Sequence, residues 1–178
     1  MDASTRKLLL VRHAKTEQVA GKPDHDRELL ARGERDSRAG GAWLVEHGLV
    51  PHLVLCSTAT RAQQTWEQMA KGGELRDVEV WSERRIYNAY PDEILHVLHE
   101  APEDAGVVMV VGHAPGLPSL AAGLADEETS DGQALAALRD GMPTGSAALL
   151  EFTGSWTDLV EESARLTGVH SWRGTEKT

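Results

Sequence analysis

The sequence predicts an α/β protein: a three-layer α/β/α sandwich around a mostly parallel central sheet. Three observations predict it. Leu8–Val11, Leu53–Cys56 and Val107–Val111 are short, continuous apolar runs, the pattern of strands buried on both faces. Stretches with helical periodicity alternate with these runs. Aromatic residues make up only 4% of the chain, so the core must be built mainly from Val, Leu, Ile and Ala.

Each element follows in order. After Leu8–Val11, residues 12–27 are polar, with Gly21 and Pro23, and read as a loop. From Leu29 to Gly48 the pattern is helical. Leu30, Ala39, Ala42, Trp43 and Val45 can share a face, and Gly48 suits a C-cap. Thr60–Lys71 reads as a helix stopped by Gly72-Gly73, and Val78–Trp81 as an alternating strand. Pro91–His99 reads as a short helix with proline at its start. A further helix is expected from about Leu117 to Leu124, and another in the middle of Thr129–Gly141. Ser146–Phe152 and Ala164–Val169 are expected as late, neighbouring strands. The 178 residues suit one domain, 1–178, with tails at 1–6 and 171–178 expected to be flexible.

Composition narrows the function. A net charge of -10 and the lack of basic runs speak against nucleic acid and anionic membranes as partners. An anionic substrate would need a local cluster of arginines to override that field. The single cysteine, Cys56, excludes an intrachain disulfide and is expected to be buried and inert. Neither a signal peptide nor a membrane span is evident, so the expected location is cytoplasmic and the expected state monomeric.

The three strongest strands end in reactive residues: Arg12-His13-Ala14-Lys15-Thr16, Ser57-Thr58-Ala59-Thr60-Arg61 and Gly112-His113-Ala114. Ligands of open parallel sheets bind beyond the carboxyl ends of the strands, so these segments should share one crevice. Two arginines and two histidines in one crevice suit phosphate. A guanidinium fork matches phosphate oxygens, and a neutral imidazole is a nucleophile at physiological pH. Backbone amides near Ala14 or Ala114 could add to the cradle. No metal or cofactor is expected if these groups carry the charge. Singly, each of these residues reads more readily as structural or surface; their joint placement carries the argument. His25, His47, His52, His96, His99 and His170 form no pattern with zinc-like spacing and are expected at the surface or half-buried.

The three segments together resemble the signatures of the histidine phosphatase superfamily, also called phosphoglycerate mutase-like. Arg12-His13-Ala14 is similar to its Arg-His-Gly, Ser57 to Thr65 to its Ser-x-x-x-Arg-Ala-x-x-Thr, and Val111–Pro115 to its third, a strand ending in Gly-His or Ser-His. Asp26–Gly33 and the short stretch between Arg61 and His113 resemble the small SixA-type phosphohistidine phosphatases. The resemblance implies a phosphoglycerate mutase-like fold and a phosphohistidine formed on His13. Arg12, Arg61 and His113 would bind the phosphoryl oxygens, and Ala114, Ser57 and Thr16 would add to the substrate pocket. It implies a phosphorylated substrate, with a phosphohistidine-bearing protein favoured over small metabolites. The alternatives are a broad phosphomonoesterase and an inactive phosphate-binding module.

Two departures matter. Ala14 replaces glycine, which is tolerable where φ is negative. Many relatives also carry a leaving-group acid after the second signature. Here Glu83, Asp92 and Glu93 are the candidates, and none fits that role cleanly.

Overall fold

The computed structural model describes residues 4–175. The apolar runs form β1 (Thr5–Arg12), β2 (Leu53–Ser57) and β4 (Val107–Gly112), joined by β3 (Glu79–Glu83), β5 (Ser146–Thr153) and β6 (Arg165–Ser171). They make one six-stranded sheet in the order β3-β2-β4-β1-β5-β6. β1 to β4 run parallel, while β5 pairs antiparallel with both β1 and β6. The helices are α1 (Ala31–Glu46), α2 (Thr60–Gly73), α3 (Pro91–Leu98), α4 (Gly116–Leu124) and α5 (Gly132–Asp140). Strand alternation sends Leu9, Val11, Val54, Cys56, Met109 and Val111 to the face covered by α1 and α2. It sends Leu8, Leu10, Leu53, Leu55, Val108 and Val110 to the opposite face, against residues of α3 and α4. The result is the three-layer α/β/α sandwich that the sequence predicts. Among the described residues no helix is long and apolar enough to cross a membrane.

α1 differs from its expected face. Leu30, Ala42 and Val45 are exposed; the helix buries Gly33, Asp36, Ser37, Gly40, Gly41 and Leu44. The cause is a backbone-to-backbone contact with α2. A Cβ on Gly41 would lie 1.8 Å from the Met69 carbonyl oxygen, and one on Gly72 would lie 2.0 Å from that of Arg38. Gly72 and Gly73 therefore belong to the last turn of α2 and do not stop it. The helix ends at Glu74, whose φ of 54° is left-handed. Burial achieved through glycine leaves no mark on a hydropathy pattern.

The expected flexible tails also differ in part. Thr5 and Arg6 pair with Thr153 and Phe152 in the sheet, and Ser171 pairs with Ser146. Trp172 is buried against Gly40, and the Gly174 amide donates to Asp36 Oδ1 at 2.7 Å. Residues 1–3 and 176–178 lie outside the described residues.

The helix contact generates a prediction. Gly41→Ala should destabilise the protein by about 1–3 kcal/mol, the usual range for overpacking a close contact. The measurement is the urea unfolding midpoint. An unchanged midpoint would show that α1 and α2 do not pack at this distance.

Candidate active site

β4 lies between β1 and β2, with Gly112 opposite Arg12 and Val111 opposite both Val11 and Cys56. The residues that follow each strand are therefore delivered to one edge. His13 and His113 meet there with ring centroids 5.3 Å apart, and Arg61, the second residue of α2, donates from Nε to His13 Nε2 at 3.3 Å. All three side chains are buried.

His13 has a defined orientation. Its Nδ1 lies 2.8 Å from the Ala14 carbonyl oxygen, which can only accept, so Nδ1 carries the proton and Nε2 keeps its lone pair. Ala14 is not among the positive-φ residues, so its methyl group costs no backbone strain. Its amide, expected from the sequence as a possible part of a phosphate cradle, is instead engaged, donating to Thr65 Oγ1 at 3.0 Å. Thr65 Oγ1 in turn donates to the Arg61 carbonyl at 2.7 Å. One hydroxyl thus ties the segment after β1 to the helix carrying Arg61.

His113 is held by Ser57, with Nε2 2.8 Å from Ser57 Oγ. That hydroxyl already accepts from the Ala59 amide at 3.2 Å. Its own proton is satisfied by donation to His113 Nε2, which leaves the proton of the ring on Nδ1. This Nδ1 is buried and has no partner among the described residues, as is Arg12 Nε. The other end of Arg12 donates from Nη1 to the Met142 carbonyl at 2.7 Å. Ser57 thus acts by orienting His113. Ala114 follows His113 into a cleft of about 260 Å³ with Ile86, Ala89 and Pro115. Thr16 is buried and bridged through its backbone to Leu29; its hydroxyl bonds none of the other candidates.

Electrostatics favour neutral imidazoles. Burial pushes His13 down to about 4, with Arg61, Arg12 and Arg27 adding to the shift and the Ala14 carbonyl opposing it. Burial pushes His113 down to about 3, helped by His13 and Arg61.

Sequence reasoning missed Asp24, Arg27 and Tyr87. A 3-10 turn at Asp24–Asp26 brings Asp24 over Arg61, which donates Nη1 to its carbonyl at 2.7 Å and Nη2 to its Oδ2 at 3.0 Å. Tyr87 donates its hydroxyl to the same Oδ2 at 2.7 Å, and Arg27 pairs with Oδ1 at 3.2 Å. The Tyr87 hydroxyl, then Arg61 and Arg27, hold this carboxyl below its ordinary range, so it is ionised at neutral pH. The available signal was an acid and an arginine three apart in a loop, which is too common to single out.

The three acid candidates have other work. Glu83 pairs with Arg85 at 2.8 Å and accepts its amide at 3.1 Å. Glu93 accepts the Tyr90 amide at 2.7 Å and caps α3. Asp92 is exposed beside Arg85 and His96 in a separate cleft. Burial pushes the Cys56 thiol up to about 12, which keeps it unreactive. Among the described residues, no three His, Cys, Asp or Glu side chains cluster to hold a metal ion.

An imidazole lone pair ringed by guanidinium and imidazole donors, at the carboxyl edge of a parallel sheet, defines a phosphate-handling α/β protein. Comparison with known proteins places it further. The pattern of the histidine phosphatase superfamily (branch 1) matches residues 8–86. An uncharacterized protein of Mycobacterium tuberculosis is 34% identical over 160 residues, which cover 90% of this chain and 98% of the relative. A solved structure from Nakamurella multipartitia, provisionally assigned as phosphohistidine phosphatase SixA, is 34% identical. It has a TM-score of 0.82 and covers 97% of this chain and 99% of that one. Another with the same provisional assignment, from Agrobacterium tumefaciens, is 28% identical with a TM-score of 0.70, covering 83% and 92%. The chain belongs to the histidine phosphatase superfamily.

The buried histidines generate a pH prediction. Unfolded imidazoles titrate near 6.5, above the folded values of about 4 for His13 and about 3 for His113. Between these values the unfolded chain binds more protons, so stability is lost as pH falls below about 6.5. Each histidine contributes a slope of up to about 1.4 kcal/mol per pH unit. Unfolding free energies from pH 7.5 to 4.5 should fall less steeply in His113→Asn than in the unmodified chain. Equal slopes would show that His113 titrates normally.

Proposed function

We propose that this protein is a metal-independent phosphatase acting through a phosphohistidine on His13, with phosphohistidine on a protein as its substrate. The observation that carries the reading is the His13 Nε2 lone pair, fixed by the Ala14 carbonyl and faced by Arg61. Buried donors without an acceptor, Arg12 Nε and His113 Nδ1, flank it and suit the oxygens of a phosphoryl group. His13 Nε2 attacks phosphorus while the bond to the substrate nitrogen breaks, and the leaving imidazole departs protonated. Arg12, Arg61 and His113 hold the equatorial oxygens as charge redistributes. Water then attacks the phosphoenzyme, releasing inorganic phosphate and restoring neutral His13.

The substrate class rests on the leaving group. Glu83 and Glu93 are engaged elsewhere and Asp92 lies in another cleft, while Asp24, the carboxylate at the site, is ionised. An imidazole leaves readily once protonated by solvent; an alkoxide needs a positioned acid. The similarity to the Nakamurella protein supports the same class. The intact His13, Arg12, Arg61 and His113 weigh against an inactive phosphate-binding module.

His13→Ala should lower turnover by about 10³-fold or more and abolish the acid-labile phosphoenzyme, read by gel and mass spectrometry. Hydrolysis retained in that variant would overturn the nucleophile. A panel of phosphohistidine protein, aryl phosphate and glycerol phosphate should be hydrolysed in that descending order. Equal rates on glycerol phosphate would reveal a general acid and favour a broad phosphomonoesterase.

A further inference from the structure

Beside the phosphate-handling residues lies a second cleft, of about 460 Å³, lined by His25, Thr58, Arg84 and Tyr87. Tyr87 is the wall between the two. Its ring meets the edge of His113 at 5.6 Å and that of His25 at 4.8 Å, and the Arg61 guanidinium carbon stands 5.9 Å from its centroid. His25 Nε2 and Thr58 Oγ1 are hydrogen-bonded at 3.0 Å. Asp26 stands at the far nitrogen of His25, 3.7 Å from Nδ1.

Arg84 sets the charge of this cleft. Its neighbour Arg85 is paired with both Glu83 and Glu100. Arg84 is exposed and forms no ion pair or side-chain hydrogen bond with any described residue. Its backbone is anchored, however: it opens the 3-10 turn Arg84–Ile86, in which Ile86 is buried, and its carbonyl accepts the Tyr87 amide at 3.0 Å. The chain as a whole carries a net charge of -10. An acidic substrate is repelled by most of this surface, so an unpaired guanidinium carried on an anchored backbone, in a cleft that Tyr87 shares with the phosphate-handling residues, acts as a local attractor.

We infer that the Arg84 cleft is an anion subsite that takes the carboxylate of an acidic side chain beside the phosphorylated residue of a protein substrate. The inference rests on the phosphoprotein reading above. One planar guanidinium matches one carboxylate, and the Thr58 hydroxyl and His25 ring supply the polar wall. An exposed pair of this kind is worth about a 5-fold effect and weakens with salt.

The test uses two phosphohistidine peptides that differ only in Glu or Gln next to the phosphohistidine, with kcat/KM measured for each. The unmodified chain should favour the Glu peptide by about 5-fold in low salt and by less in 0.5 M sodium chloride. Arg84→Gln should abolish the preference, and Arg84→Glu should reverse it toward the Gln peptide. Equal kcat/KM for the Glu and Gln peptides in the unmodified chain, or a preference that survives Arg84→Gln, would overturn the subsite alone. Hydrolysis of neither peptide, with aryl phosphate still turned over, would overturn the phosphoprotein reading and the subsite with it. An Arg84-dependent preference for a small bisphosphate over its monophosphate, without a Glu preference, would overturn the peptide carboxylate in favour of a second phosphate.

Discussion

β4 pairs in parallel register with β1 on one side and β2 on the other, and that pairing decides where both imidazoles and the Ser57 hydroxyl arrive. Because Gly112 stands opposite Arg12, the next residue of each strand, His113 and His13, reaches the same level. Ser57, at the end of β2, comes up beside His113 and bonds it. No loop has to fold back to assemble this set. The cost of bringing two imidazoles together is met by the sheet itself, whose central strands are almost fully buried.

Around this frame the chain uses neutral hydrogen-bonding groups to orient charged or reactive ones. A carbonyl fixes the His13 tautomer, a hydroxyl fixes His113, and Thr65 links the Ala14 amide to the Arg61 backbone. Such partners do not compete for an anionic ligand. The exception is Asp24, a carboxylate set directly on Arg61. It orients the guanidinium and offsets its charge, so a phosphoryl group approaches an arginine that already has a partner.

The central strands were legible as apolar runs, and Arg12, His13 and His113 as the polar residues at or just past their ends. Arg61, four residues beyond Ser57, was legible less directly, as an arginine at the start of the helix that follows β2. The parallel order then brings them together without further information. Asp24, Arg27 and Tyr87 were not legible. They reach the site through a 3-10 turn and through the segment after β3, and neither path has a periodicity to read. The buried face of α1 was hidden for a different reason. Hydropathy reports side chains, and this face buries Gly33, Gly40 and Gly41 with the polar Asp36 and Ser37, leaving Leu44 as its one large apolar side chain. The same limit affected Gly72-Gly73, whose usual meaning as a helix stop gave way to a close contact with α1.

That glycine seam has a consequence for the far end of α2. Arg61 is fixed to the helix at its second residue, and the seam grips the same helix around Met69, Gly72 and Gly73. Main chain against main chain leaves no compressible layer of side chains, so α2 has little freedom to slide or tilt. A bulkier residue in the seam would act as a wedge and lever the guanidinium out of line with His13. Positions with no side chain thus calibrate the depth of an arginine that stands several helical turns away.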